Sequence, residues 1–186
     1  MKTATAVILM MVFASLAIAS DLPKEADRLD YEGDSLTPII IAGELTAATP
    51  TWLRWRPASY EELGLNCDLV MTSSYTTQPH YDAYCFNVSD STPVEFVVDS
   101  ADFDTVIYIY CDPFDAMNPT VNGVFMDDDD GDGLQSAIFP ADGVTLTPGN
   151  DYWLIICSYS STVGTYTIET GDNIGLCGTV ATEDSD

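Results

Sequence analysis

The segments Tyr84-Cys85-Phe86-Asn87-Val88 and Val94-Glu95-Phe96-Val97-Val98 decide the fold. In both, apolar side chains recur at every second position, which is the period of a β-strand with one buried face. Further short runs rich in β-branched and aromatic residues follow: Val106 to Tyr110, Val124 to Met126, Tyr152 to Cys157 and Tyr166 to Ile168. Helical periodicity is almost absent between them. The pattern predicts an all-β protein, an antiparallel two-sheet β-sandwich of jelly-roll-like type with at most one short helix.

Turn residues separate these runs at Asn122-Gly123, Asp142-Gly143, Pro148-Gly149-Asn150 and Gly164. They supply the positive or fixed φ angles that tight connections require. Upstream, Thr37 to Ala42 is rich in isoleucine and reads as a strand, and Pro38 favours its start or an edge position. Ser59 and Glu62 resemble a capping box, and Gly64 would end a short, peripheral helix.

The amino terminus has the features of a secretory signal. Lys2 precedes an apolar run from Ala6 to Ala17, and Ala17-Ile18-Ala19 fits a small-x-small cleavage site. We expect cleavage rather than an uncleaved anchor, because the run is too short to prefer spanning a bilayer. The expected organisation is a signal peptide at 1–19, a flexible leader at 20–33, one sandwich domain at 34–178 and a disordered acidic tail at 179–186. The predicted location is extracellular, either free or associated with the cell surface.

The strong negative charge of the chain excludes some classes of binding partner. The chain of 186 residues has a formal net charge of −25, and loss of Lys2 with the signal would make it −26. Such a surface repels nucleic acid and anionic lipid, and it suits solubility in salt or the binding of divalent cations. Because 46% of the residues are hydrophobic, the chain should nevertheless fold.

All five cysteines, Cys67, Cys85, Cys111, Cys157 and Cys177, follow the predicted signal. Export permits disulfides, so at most two bridges are expected, and the sequence does not select among the possible pairings. The odd thiol is either buried and inert or joined to another chain. No C-x-x-C pair is present, and the single histidine, His80, cannot supply a histidine-based zinc site.

Five carboxylates crowd one short segment: Asp127, Asp128, Asp129, Asp130 and Asp132. Like charges this close repel, so the segment either extends into solvent or closes around a cation. Asp128, Asp130, Asp132 and Gly133 fit the first half of a D-x-D-x-D-G calcium loop, in which alternate side chains converge. The position that would carry the closing glutamate of an EF-hand is Phe139, so this is not an EF-hand. We predict a Ca²⁺ site formed by this Asp cluster, with a solvated acidic hairpin tip as the alternative.

A second candidate site combines cations with aromatic rings. In an extended Trp52-Leu53-Arg54-Trp55-Arg56 segment, Trp52, Arg54 and Arg56 share one face and Trp55 points to the other. The first three are predicted to form a binding surface that can stack on a sugar ring or a partner side chain. The structural alternative is packing across strands together with salt bridges to the protein's own acids.

Catalysis is not expected. A hydrolytic triad would have to use His80, which lies in a polar stretch after Pro79, and nothing in the spacing of the acids singles out a glycosidase pair. The sequence is therefore predicted to belong to a non-enzyme.

Several motifs in series resemble the bacterial pre-peptidase C-terminal domain. They are Tyr81-Asp82-Ala83-Tyr84-Cys85-Phe86-Asn87-Val88, Asp102-Phe103-Asp104-Thr105 through Tyr110, Asp129-Asp130-Gly131, and Gly149, Tyr152, Gly164 and Tyr166-Thr167-Ile168. The resemblance covers about residues 81–170. It implies a secreted β-sandwich without its own catalytic activity, which in some members binds polymers in a calcium-dependent way. Asp102 and Asp104 fall on the family's strand-entry motif, where a carboxylate either joins a cation site or caps the turn; capping is the favoured interpretation.

Two functional hypotheses follow. The first is a secreted, non-catalytic, calcium-stabilised module that binds an extracellular polymer or protein partner. The second is a structural subunit of an extracellular filament or surface layer, assembled by self-association when Thr37 to Ala42 adds as a strand to a neighbouring sandwich.

Overall fold

The computed structural model describes residues 37–59 and 62–177, which belong to one compact unit. Eleven β-strands make up these ranges: β1 (Ile40–Leu45), β2 (Trp55–Pro57), β3 (Met71–Ser74), β4 (Tyr81–Val88), β5 (Phe96–Ala101), β6 (Thr105–Cys111), β7 (Gly123–Asp127), β8 (Ala137–Ile138), β9 (Tyr152–Ser158), β10 (Gly164–Thr170) and β11 (Ile174–Leu176). A single 3₁₀ turn at Pro140–Asp142 is the one helical element described.

The strands form two main antiparallel sheets. One has four strands in the order β1-β10-β5-β8, and the other has five in the order β11-β4-β9-β6-β7. A separate hairpin pairs β2 with β3. The predicted all-β, antiparallel two-sheet sandwich is thus confirmed, and β1 occupies an edge, as Pro38 suggested.

The inner cluster is the apolar core between the two main sheets. Its largest side chains include Phe86 and Phe96, whose ring centroids lie 5.0 Å apart in an edge-to-face arrangement. Ile107, Ile109 and Leu154 from the middle of the five-stranded sheet are fully buried against them. The alternation noted in the sequence places Phe86 and Phe96 on the inner face.

The outer cluster lies on the opposite face of the five-stranded sheet. It consists of Trp52, Leu69, Met71, Val106, Tyr108, Tyr110, Met126, Ile155 and Cys157. Residues 52–59 and 62–74, here called the cover, contribute Trp52, Leu69 and Met71, and they bury a face that would otherwise meet water. The Tyr108 hydroxyl donates to the Trp55 carbonyl at 3.0 Å and so joins β6 to the cover. Because of the cover, every residue of β6 is buried.

Two disulfides fix the sandwich. Cys67–Cys111 attaches the cover to the end of β6, and Cys85–Cys177 attaches the segment after β11 to β4. The expected maximum of two bridges is reached. The odd cysteine, Cys157, is fully buried within the outer cluster, which agrees with a buried thiol and argues against a link to another chain.

Gly43 in the edge strand β1 leaves space for a hydroxyl group that is hydrogen-bonded to the opposite sheet. A Cβ atom there would collide with the Tyr166 hydroxyl. That hydroxyl donates to Asp82 Oδ2 at 2.6 Å and lies 2.6 Å from the Tyr84 hydroxyl. Since Tyr166 belongs to the four-stranded sheet and the other two residues to β4, the chain of hydrogen bonds crosses the sandwich.

Some predictions fall wholly or partly outside the described residues. The signal peptide and leader (1–33) and the acidic tail (179–186) lie there, as do Tyr60 and Glu61 of the helix expected after Ser59. The amide of Glu62 donates to the Ser59 carbonyl at 3.3 Å. Within 37–59 and 62–177, no helix is long and apolar enough to cross a membrane.

Candidate metal centre

The acidic segment follows β7 and turns back toward β8. Asp127, its first residue, is only 4% exposed, and its Oδ2 accepts the amides of Ala137 at 2.8 Å and Asp130 at 3.3 Å. The Gly131 amide donates to the Gln135 carbonyl at 2.8 Å, and a Cβ at Gly131 would lie 2.5 Å from that oxygen. Asp127 and Gly131 therefore shape the loop.

Three carboxylates converge beside this loop. Each of Asp104, Asp128 and Asp129 offers an oxygen, and these oxygens lie within 4.8 Å of one another. Asp104 comes from the connection between β5 and β6, whereas the other two directly follow β7. The pairing of β6 with β7 brings the two segments together. We call this group the carboxylate triad.

The predicted ligand set is only partly assembled in this way. Asp128 and Asp129 belong to the triad, but Asp127, Asp130 and Asp132 do not. The convergence of Asp128, Asp130 and Asp132 expected from a D-x-D-x-D-G loop is therefore not found. The chain leaves β7 in a tight turn rather than an EF-hand loop, so neighbouring residues, not alternate ones, face Asp104. Asp130 and Asp132 are exposed.

The triad is electrostatically strained without a counter-ion. Asp104 Oδ1 and Asp128 Oδ1 are buried and accept no hydrogen bond. Burial is the main cause that raises the pKa of Asp128 to about 7, and the Arg54 charge partly opposes it. The pKa of Asp104 is also raised, first by burial and then by Asp129. Ionised carboxylates in such a site need positive charge and hydrogen-bond donors; Arg54 supplies only part of the charge, and neither Oδ1 atom accepts a hydrogen bond from the described residues.

The donor set fits calcium. The triad offers only carboxylate oxygens, the ligands that Ca²⁺ prefers, and it contains no nitrogen or sulfur that would favour zinc. The two orphaned oxygens of Asp104 and Asp128 are available for coordination. Next to the triad, the acidic segment also lines an open depression of about 640 Å³, which includes Phe125 and Asp142.

Asp102 has a different role from Asp104, although the two share one motif. Its Oδ2 accepts the amide of Thr165 at 2.9 Å and the Thr165 hydroxyl at 2.7 Å, which lowers the pKa of Asp102. It thus holds the start of β10 instead of capping its own backbone. The favoured interpretation, that these carboxylates cap the turn through its own backbone, is therefore wrong for Asp102, which bonds to β10, and Asp104 belongs to the triad.

The predicted binding surface of Trp52, Arg54 and Arg56 is not formed as expected. Trp52 is 2% exposed and Arg54 is fully buried, while Arg56 is half-buried. The prediction that all three face solvent is wrong because the cover lies on the five-stranded sheet, and the face that carries Trp52 is turned inward. The Trp52 ring meets the edges of Tyr108 and Phe114 at centroid distances of 5.1 and 5.6 Å.

Arg54 is buried in an unusual setting. Its guanidinium carbon lies 3.9 Å from the Tyr75 ring centroid and 4.6 Å from that of Tyr159. None of its three side-chain nitrogens has a hydrogen-bond partner among the described residues. The Arg54 carbonyl accepts the Tyr75 amide at 2.9 Å, which fixes the two residues relative to each other.

The remaining groups considered for chemistry have structural roles. His80 Nδ1 donates to the Thr49 carbonyl at 2.6 Å. Burial raises the pKa of the Cys157 thiol to about 12, so it stays protonated at neutral pH.

Comparison with protein-family models gives no match for this chain, and comparison with curated proteins gives none either. The function must therefore be argued from the residues themselves.

Proposed function

We propose that the chain is an exported, non-catalytic β-sandwich module that Ca²⁺ stabilises through Asp104, Asp128 and Asp129. The observation that carries the proposal is the convergence of these carboxylates around two buried oxygens without donors. An ion in this place would supply the missing positive charge, and millimolar extracellular calcium would fill most of a site with a dissociation constant of about 10⁻⁴ M and about half of one of about 10⁻³ M. Export is supported by the signal-like residues 1–19 and by the two disulfides.

The resemblance to the pre-peptidase C-terminal domain supports the same function. The residues of its strand-entry and acidic motifs, Asp104 and Asp129, lie together in the triad. The partner in this proposal is an extracellular polymer or protein.

The test is a comparison of melting temperatures in millimolar CaCl₂ and in EDTA, using protein purified after export. Calcium should raise the melting temperature of the wild type, because bound ligand stabilises the folded state. Asp104→Asn with Asp128→Asn should abolish the rise. The matched control is Asp130→Asn with Asp132→Asn, which removes the same charge from two exposed residues outside the triad and should leave the rise in place.

Equal melting temperatures of the wild type in calcium and EDTA would refute the proposal. If the Asp130/Asp132 control alone lost the calcium-dependent rise in melting temperature, the site would lie at the loop tip instead of at the triad.

A second function, the subunit of an extracellular filament or surface layer, has one observation in its favour. β1 is an edge strand whose far side has no partner among the described strands, and Ile40 on it is 61% exposed. The Ile39 carbonyl accepts the Thr170 amide, so the hydrogen-bonded pairs of this antiparallel ladder continue at Ile41 and Gly43. Ile40, Ala42 and Glu44 alternate with these pairs, so their amides face away from β10.

Ala42→Pro distinguishes the two functions. It removes an outward amide without touching the ladder to β10, so it should block strand addition and leave the monomer folded. Negative-stain images and size-exclusion chromatography would show filaments for the wild type alone if the chain polymerises. Monomers for both would exclude the filament.

A further inference from the structure

Arg54 is not explained by its role in packing. A guanidinium has five N–H donors, and a fully buried one without hydrogen bonds is costly. Arg54 is 0% exposed, and its Nε, Nη1 and Nη2 atoms all lack partners among the described residues. An aliphatic side chain of similar length would fill the same space without this cost, so the charge itself needs an explanation.

The position of the charge is fixed. The rings of Tyr75 and Tyr159 lie 3.9 and 4.6 Å from the guanidinium carbon. Cation–π contacts on two rings hold the guanidinium in place but leave its N–H groups unused. Arg54 is thus a positive charge held by aromatic faces and not by an ion pair.

The charge is joined to the carboxylate triad through Tyr159, whose ring faces the guanidinium and whose amide donates to the Asp104 carbonyl at 2.8 Å. It lowers the pKa of Asp128 and Asp104 against the effect of burial. The Arg54 nitrogens and the Oδ1 atoms of Asp104 and Asp128 are thus groups of opposite charge, all buried and without hydrogen-bond partners among the described residues. Three carboxylates with one guanidinium leave a net charge of two negative units, which one divalent cation balances.

We propose that Arg54 sets the calcium affinity of the triad: its fixed charge keeps the three carboxylates together in the absence of the ion and weakens the binding of Ca²⁺. This inference rests on the proposed function. Arg54 is a positioning residue here and is not a ligand.

The test is the calcium affinity of Arg54→Met, measured by titration calorimetry with CaCl₂ alone. Methionine keeps much of the length and removes the charge. The dissociation constant should fall about tenfold, because a like charge near a divalent ion is removed from a partly desolvated site. In EDTA the same variant should melt at a lower temperature than the wild type, since the triad loses its internal counter-charge.

Two variants serve as matched controls. Arg56→Met removes the same charge two residues away, from a half-buried side chain whose guanidinium lies 5.9 Å from the Tyr75 ring. Its calcium affinity should change less than twofold, because solvent screens it. Arg54→Lys keeps the charge and should restore the wild-type affinity to within about threefold, which a purely steric role would not predict.

The possible results distinguish a failure of this inference from a failure of the proposed function. A wild type that binds calcium and an Arg54→Met variant with the same affinity would overturn the inference while sparing the proposed function. A wild type that binds no calcium would overturn both. If Arg54→Met does not fold in either buffer, Arg54→Gln is the second neutral variant, and it must show the same tighter binding; an unchanged affinity there overturns the inference.

Discussion

The inner and outer clusters lie on opposite faces of one five-stranded sheet, yet they differ in chemistry. The inner cluster is built from apolar and aromatic side chains of both main sheets. The outer cluster contains the Cys157 thiol, and the cover that supplies its Trp52 also carries the fully buried Arg54 guanidinium, whose neighbour Tyr159 bonds to Asp104 of the carboxylate triad. The inner face therefore contributes stability through apolar packing, whereas the stability of the outer face also depends on charged groups.

The three tryptophans of the chain allow the two clusters to be distinguished by fluorescence. Trp52 belongs to the outer cluster, and Trp55 and Trp153 pack against it. Intrinsic tryptophan emission therefore reports on the outer face, and the inner cluster, in which no tryptophan lies, does not contribute to it.

The largest effect is expected from the inner cluster. Phe86→Ala removes a fully buried ring that contacts Phe96 and Tyr152. It should lower the free energy of unfolding by about 4 kcal/mol, because it removes buried surface and leaves a cavity. Chemical denaturation in calcium and in EDTA should give the same loss. A loss that depends on calcium would contradict the separation of the two faces.

Removal of the Cys67–Cys111 bridge should be the next largest effect. Cys67→Ala with Cys111→Ala should cost about 3 kcal/mol, because the bridge restricts the unfolded chain, and the native tryptophan emission should shift to longer wavelength as the cover loosens. The control, Cys85→Ala with Cys177→Ala, opens a longer loop of 92 instead of 44 residues. It should destabilise at least as much and shift the emission less, through Trp153 alone, which is the register partner of Cys85. Equal shifts in both would show that the cover does not depend on its own bridge.

The pH dependence of stability tests the triad side of the comparison. Burial raises the pKa of Asp128 to about 7 and that of Asp127 to about 6, above the ordinary value of about 3.9. The folded state then binds more protons than the unfolded state. In calcium-free buffer the free energy of unfolding should fall by on the order of a few kcal/mol as the pH rises from about 4 to about 7.

Denaturation curves across this pH range check the expectation. Asp128→Asn should flatten the decline, because the main group with a raised pKa is removed. A wild-type stability that increases with pH over the same range would contradict the assigned direction.

The smallest effect concerns the aromatic support of Arg54. Tyr159 is 42% exposed and covers one side of the guanidinium. Tyr159→Ala should reduce the free energy of unfolding by about 1 kcal/mol through loss of the cation–π contact. Tyr159→Phe keeps the ring face and should stay near the wild type in thermal denaturation. Equal losses in both variants would assign the effect to the hydroxyl.

Much of the fold could be predicted because its signals are local. Alternation in residues 84–88 and 94–98 predicts the strands that build the inner cluster, and Pro38 indicates the edge position of β1. The outer cluster was missed, although a signal was present. Val106 to Tyr110 and Leu154 to Cys157 are unbroken apolar runs, which indicate a sheet buried on both faces and hence a covering layer.

The candidate site was only partly predictable. The run of aspartates identified Asp128 and Asp129, but their partner Asp104 joins them through the pairing of β6 with β7, which no local pattern specifies. The burial of Arg54 depends on where the cover packs, and alternation along one strand cannot tell an outer face from an interface.

The contact at Gly43 has a mechanical consequence. β1 is an edge strand, and the space left at Gly43 accommodates the Tyr166 hydroxyl, which is bonded to Asp82 and Tyr84 of the other sheet. A shearing force on β1 would thus be shared by both layers and not borne by one ladder alone. An edge that is open to a neighbour is thereby also joined to the second sheet.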